Sequence, residues 1–183
     1  MGTMATAFAH GVAAVALGSV YAASSVSGAS MPARFWALSI ACSALPDLDV
    51  VGLGLGIPYG SVWGHRGITH SLFFAAWLSV AVVILGFPNT ARFSQTWWML
   101  AGYFFIVTAS HGLLDAMTNG GLGVAFFAPF DTGRYFLPWR PIEVSPIGVA
   151  AFFTSRGLEV LKNEFAWIWI PSLAIICALR MLK

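Results

Sequence analysis

The chain has 183 residues, 58% of them hydrophobic and 9% charged, and its mean hydropathy of +0.81 describes more apolar surface than one water-soluble core hides. Lipid is the solvent this composition implies. The net charge of +2 is small and dispersed along the chain, which excludes a nucleic-acid partner.

Crossing a bilayer as a helix takes about 20 apolar residues. Residues 4–23, 67–87, 95–117 and 165–182 meet that need and are the first, third, fourth and fifth expected spans. The first resembles a secretory signal at Tyr21, Ala22 and Ala23, but without a basic leading region it reads as a retained span. The second span, residues 32–45, is short and stops at Pro46 and Asp47. The glycine-rich run 50–60 behind it reads as a re-entrant loop lining a cavity, because non-helical backbone at membrane depth needs polar partners. Residues 119–164 turn polar and irregular around Pro129, Pro138, Pro141 and Pro146 and form the expected extramembrane cap. The tail of that cap, residues 147–164, has the pattern of an interfacial amphipathic helix with Arg156 and Lys162 toward headgroups. Cys42 and Cys177 read as buried free thiols, and Trp97, Trp98, Trp167 and Trp169 as interfacial belts.

The expectation is an all-α polytopic membrane bundle, a single domain over residues 1–183 with about five spans. The amino terminus, the 47–64 loop and the cap then share one side, and the loops near Met31 and Asn89 share the other with the carboxyl terminus. Arg66, Arg134, Arg140, Arg156 and Lys162 fall on the first side and Arg34, Arg92, Arg180 and Lys183 on the second, too even a division for the positive-inside rule to orient.

Every histidine and aspartate of the chain falls toward the first side: His10, Asp47, Asp49, His65, His70, His111, Asp115 and Asp131. Such groups at membrane depth are costly unless paired or ligating. In His111-Gly-Leu-Leu-Asp115 the i and i+4 side chains stack on one helical face and can serve one ion. In Leu45-Pro-Asp-Leu-Asp49 two carboxylates follow a proline, one suited to ligate and the other to act as base or bridge. His65-Arg-Gly-Ile-Thr-His-Ser71 adds two imidazoles, a guanidinium and two hydroxyls. Singly, each has a structural reading: Asp47 caps a helix, Asp115 pairs with Arg66, and Asp131 is a turn residue.

These three motifs, followed by Asn119 and Pro129-Phe130, resemble the bacterial and archaeal membrane-bound metal-dependent hydrolases, the family that includes the LexA-binding inner-membrane-associated hydrolases. A more distant similarity is to the all-helical zinc-dependent phospholipases C and zinc nucleases. The resemblance implies a protein of the cytoplasmic (inner) membrane of a prokaryote, with His10, Asp47, His111, Asp115 and one or both of His65 and His70 as metal ligands. No histidine follows His111, so one or two zinc ions are expected rather than three, with Glu143 or Asp131 as substitutes. The expected chemistry is metal-assisted hydrolysis of a phosphoester in a lipid or lipid-linked substrate. In that scheme Asp49 is the base, Arg66 and Thr69 assist, and Arg66, Ser71, Asn119, Arg134 and Arg140 bind substrate. Two other classes fit the same residues. One is a non-enzymatic protein whose metal holds helices together or is sensed, and the other a metal or proton transporter, which the apolar run 77–85 disfavours.

Overall fold

Long runs of alanine, valine, leucine and phenylalanine, uninterrupted by charge, leave the backbone no partner but itself, so the chain folds into helices. The computed structural model describes residues 3–24, 31–146 and 152–182. They form α1 (Ala7–Ser24), α2 (Ala33–Ala44), α3 (Val50–Gly54), α4 (Leu72–Gly86), α5 (Gln95–Ala116), α6 (Ser155–Glu164) and α7 (Ile170–Met181). The expected all-α bundle is observed, with one minimal strand pair, Thr3–Met4 against Ser145–Pro146, joining the amino-terminal segment to the cap. Serine hydroxyls set two helix starts: Ser71 accepts from the amide of Phe74 at 3.1 Å, and Ser94 from that of Trp97 at 3.2 Å. At 22 residues α5 is about 33 Å long, enough to cross a hydrocarbon core.

The second span differs from expectation. Pro46 does not end it: Leu45–Asp49 tightens into a 3-10 turn and α3 continues beyond, so a 22-residue apolar helical run covers Ala33–Gly54. Proline lacks the amide that an α-turn would use, and a 3-10 turn with proline at its start accommodates the loss. Residues 50–54 are therefore helix, not loop. Conversely α4 is only 15 residues, because Ile68–His70 forms a separate 3-10 turn ahead of it. The expected interfacial helix falls partly on residues 147–151, outside the described residues. Its remainder, α6, runs through a π-turn (Phe165–Trp169) directly into α7, giving one 27-residue run rather than two helices.

α4 packs on α5, α1 on α2 and α7, and α2 on α5. Below the polar end the core is apolar and aromatic: Ala14, Phe35, Leu78, Val83, Leu100, Phe104 and Val107. Trp97 joins this core instead of an interfacial belt, while Trp98 and Trp167 face outward as expected. Cys42 is buried, but Cys177 is exposed because it lies on the outer face of α7.

Candidate metal centre

Three elements converge at one end of the bundle. Asp47 comes from the 3-10 turn after α2, His70 from the 3-10 turn before α4, and His111 and Asp115 from the last turns of α5. A 3-10 helix advances about 120° per residue, so carboxylates two apart point different ways. Asp47 accordingly faces His70 and His111, whereas Asp49 faces His65 and Thr69. Glycines make the approach possible. A side chain on Gly64 or Gly67 would collide with the backbone of residues 58–62, and one on Gly112 would crowd the His70 carbonyl at 2.9 Å.

Hydrogen bonds fix the tautomers. His111 Nδ1 lies 2.6 Å from the Ser43 carbonyl, which only accepts, so Nδ1 carries the proton and Nε2 a lone pair. His70 Nδ1 faces the Thr69 hydroxyl at 3.0 Å and the Asp49 carboxylate at 3.2 Å, which leaves its Nε2 bare as well. The two bare nitrogens stand 3.1 Å apart. With them converge Asp47 Oδ1, 3.2 Å from His111 Nε2 and 3.7 Å from His70 Nε2, and Asp115 Oδ2, 3.3 Å from His70 Nε2 and 3.8 Å from His111 Nε2.

Four acceptors facing one another are mutually repulsive unless a cation lies among them. A zinc ion with ligand bonds of about 2.0–2.1 Å spaces tetrahedral donors about 3.3 Å apart. The observed separations of 3.1–3.8 Å bracket that edge. Both oxygens of Asp47 are buried without a hydrogen-bond donor, as a ligand set requires, and Oδ2 of Asp115 has the Arg66 Nε 3.2 Å away but outside hydrogen-bond geometry.

Around these donors lies a supporting layer. Asp49 Oδ1 takes His65 Nδ1 at 2.7 Å and its Oδ2 takes the Thr69 hydroxyl at 2.6 Å. Asp49, His65 and His70 form a second group whose ligand atoms lie within 4.8 Å of one another, and the 2.7 Å contact in it has hydrogen-bond length, which suits His65 and Asp49 to orienting the cluster. Arg66 is fully buried in the left-handed region (φ 61°), a conformation that costs of order 1–3 kcal/mol in a side-chain-bearing residue and persists where surroundings over-determine it. Its guanidinium supplies that constraint, bonding Asp115 at 3.2 Å, the Thr118 hydroxyl at 3.1 Å and the Gly120 carbonyl at 3.1 Å.

The profile of the YdjM inner membrane protein family matches residues 4–183. The chain belongs to this family. Inner membrane protein YbcI of Escherichia coli (strain K12) is 35% identical over 147 residues, which is 80% of this chain and 83% of that protein. No solved structure matches. With these relatives and its apolar helices, this YdjM-family chain is a bacterial inner-membrane protein.

Not every residue singled out in the sequence meets at the centre of this YdjM-family protein. Asp47, His70, His111 and Asp115 do. His10 stacks face to face on His111, ring centroids 3.7 Å apart, with Nε2 3.9 Å from Asp115 Oδ1 and both nitrogens unpartnered. Arg66 is committed to Asp115 and buried, not held out to an anion. Ser71 is spent as the α4 cap, and the Asn119 amide oxygen accepts from Val144 at 3.1 Å. Arg134 knits the cap, donating to the carbonyls of Tyr59, Ser61 and His65 at 3.0 Å each, and Arg140 lies over the Phe136 ring. Asp131 is a surface turn residue, its pKa lowered by the Tyr135 hydroxyl and the Gly133 amide, and Glu143 pairs with Arg156; neither joins the cluster. Sequence reasoning missed Glu164, fully buried and bonded to the Thr6 amide at 2.6 Å and the Thr6 hydroxyl at 2.5 Å, while the neighbouring Ala5 amide donates to Asp115 at 3.0 Å. An acid abutting the apolar run from Phe165 was the available signal.

Proposed function

We propose that this protein is a membrane-embedded metal-dependent hydrolase that cleaves a phosphoester of a lipid or lipid-linked substrate. The observation carrying the reading is the convergence of four lone-pair donors, three of them buried, with each histidine nitrogen 3.1–3.8 Å from the other donors. Asp47, His70, His111 and Asp115 would hold one divalent ion. When bound, a zinc-like ion supplies Lewis acidity at a phosphoryl oxygen and acidifies water at neutral pH.

The remaining steps belong to the chain. Asp49 and Thr69 hold His70 in the ligating tautomer, and the Ser43 carbonyl does the same for His111. Arg66 fixes Asp115 from behind. Asp49 has both oxygens engaged, so the base is reassigned to His10, whose unpartnered nitrogens lie beside the donors. It takes the proton of the attacking water as the new P–O bond forms, and returns it to the leaving oxygen as the old bond breaks. Asp47 is the least sealed of the four donors, its side chain 11% exposed, and flanks the substrate's entry. Beyond the cluster the core buries the hydroxyls of Ser39, Ser79, Thr108 and Tyr103 but no carboxylate, imidazole or basic side chain among the described residues, which favours a reaction site over a transport route.

The test is metal content and phospholipid hydrolysis of the purified protein. His111→Ala and Asp115→Ala are expected to lose both. Undiminished hydrolysis by either variant refutes the site.

A further inference from the structure

Immediately beyond ligand His70, the chain builds a second feature that the metal centre does not use. Leu72, Phe73, Phe126, Phe127, Ala128 and Phe130 line a groove of about 400 Å³. Its walls carry no charged or hydroxyl-bearing side chain. The Leu72 amide donates to the Phe126 carbonyl at 2.9 Å, fastening the cap to α4, and Phe73 meets Phe130 edge to face at 5.7 Å. One wall touches the ligand-bearing helix: Gly112, next to His111, is bare where the Phe126 ring and the His70 carbonyl approach. The Phe126 wall of the groove therefore borders the helical turn that carries His111.

Its other end is continuous with the membrane-facing surface. Phe73, Trp77, Val80 and Ile84 follow one another at i, i+4, i+7 and i+11 on α4, and all are exposed in this inner-membrane protein. Phe130, 83% exposed, extends that stripe onto the cap. A surface this apolar, opening sideways from a lipid-facing stripe, matches hydrocarbon rather than an aqueous solute.

We propose that this groove holds an acyl chain of a bilayer phospholipid, entering laterally from the α4 stripe and bringing its headgroup to the His70 end. The inference rests on the hydrolase reading for its consequence, since the seated chain defines the substrate as a membrane lipid rather than a soluble phosphoester. The binding itself is independent of turnover.

The experiment uses the full chain in phosphatidylethanolamine and phosphatidylglycerol vesicles doped with a phospholipid carrying a diazirine in its acyl chain, with adducts mapped by mass spectrometry. Adducts at residues 126–130 and Phe73 are expected to saturate as the probe's mole fraction rises, while those at Trp77 to Ile84 rise in proportion. Phe130→Asp, at a side chain that is 83% exposed, is expected to cut the saturable labelling roughly tenfold, and Phe130→Trp to preserve it. Proportional labelling of both regions, no adducts at 126–130, or cross-linked pairs of chains through the groove would each overturn the proposal. Hydrolysis is measured in parallel. Saturable labelling without turnover keeps the groove and overturns the hydrolase reading, whereas turnover without saturable labelling overturns the groove alone.

Discussion

Asp49→Asn isolates the supporting layer from the ligands. The substitution keeps the side chain's shape but replaces one carboxylate oxygen by an amide that donates. Either His65 Nδ1, now 2.7 Å from an acceptor, or the Thr69 hydroxyl, at 2.6 Å, then faces a donor. His70 Nδ1, 3.2 Å from Oδ2, loses the anion that fixes its tautomer. None of the four convergent donors is touched. Loss of such an outer partner lowers metal affinity by about 10–100-fold, equal to about 1.4–2.7 kcal/mol. Competition of the purified protein against a chromophoric zinc chelator measures it, with Thr69→Val, which removes one bond, expected near the lower bound. A change below about threefold would refute the tautomer argument. Complete loss of metal, equal to that of His111→Ala, would show Asp49 to be a ligand itself.

Further outcomes follow from the same geometry. His10→Gln is expected to keep bound metal and lose turnover, which metal analysis beside hydrolysis decides; loss of metal would make His10 a ligand instead. Ligating imidazoles must give up their protons to bind a cation, so the gain in Tm on adding zinc is expected to widen with rising pH, and a constant gain contradicts the assignment. Glu164→Leu leaves the Thr6 amide and hydroxyl buried without an acceptor and is expected to cost about 1–3 kcal/mol per group in mixed-micelle unfolding. Because Ala5 next to Thr6 donates to Asp115, the same variant is expected to weaken metal binding, which Glu164→Gln partly restores.

The legible parts of this molecule are those governed by one-dimensional patterns. α1 and α5 are unbroken apolar runs, and the i, i+4 spacing of His111 and Asp115 placed both on one face. What escaped depends on backbone choices that neighbours decide. Pro46 reads as a stop, yet a 3-10 turn absorbs it and is the device that sends Asp47 and Asp49 to different partners. Arg66 reads as a substrate-binding residue because a guanidinium matches phosphate oxygens bidentately. Its burial comes from Gly64 and Gly67, which fold residues 58–68 tightly enough to turn the side chain inward onto Asp115. Ser71 offers a hydroxyl in sequence but spends it as the helix cap.

The number of ions follows from charge rather than from ligand counting. Asp47, Asp49 and Asp115 bring three negative charges into contact with the cluster, and Arg66, bound to Asp115 through Nε and Nη2, returns one positive charge. Ligating imidazoles carry no charge, so two negative charges remain in a buried site where uncompensated charge is expensive. A single divalent ion brings the sum to zero. A second would leave a net double positive charge with only the Asp49, His65 and His70 group to hold it, and that group is closed by hydrogen bonds of 2.6 and 2.7 Å. One equivalent of tightly bound metal per chain is therefore the expected stoichiometry, and a second equivalent of matching affinity would mean that Asp49 opens its bonds to His65 and Thr69 when metal enters.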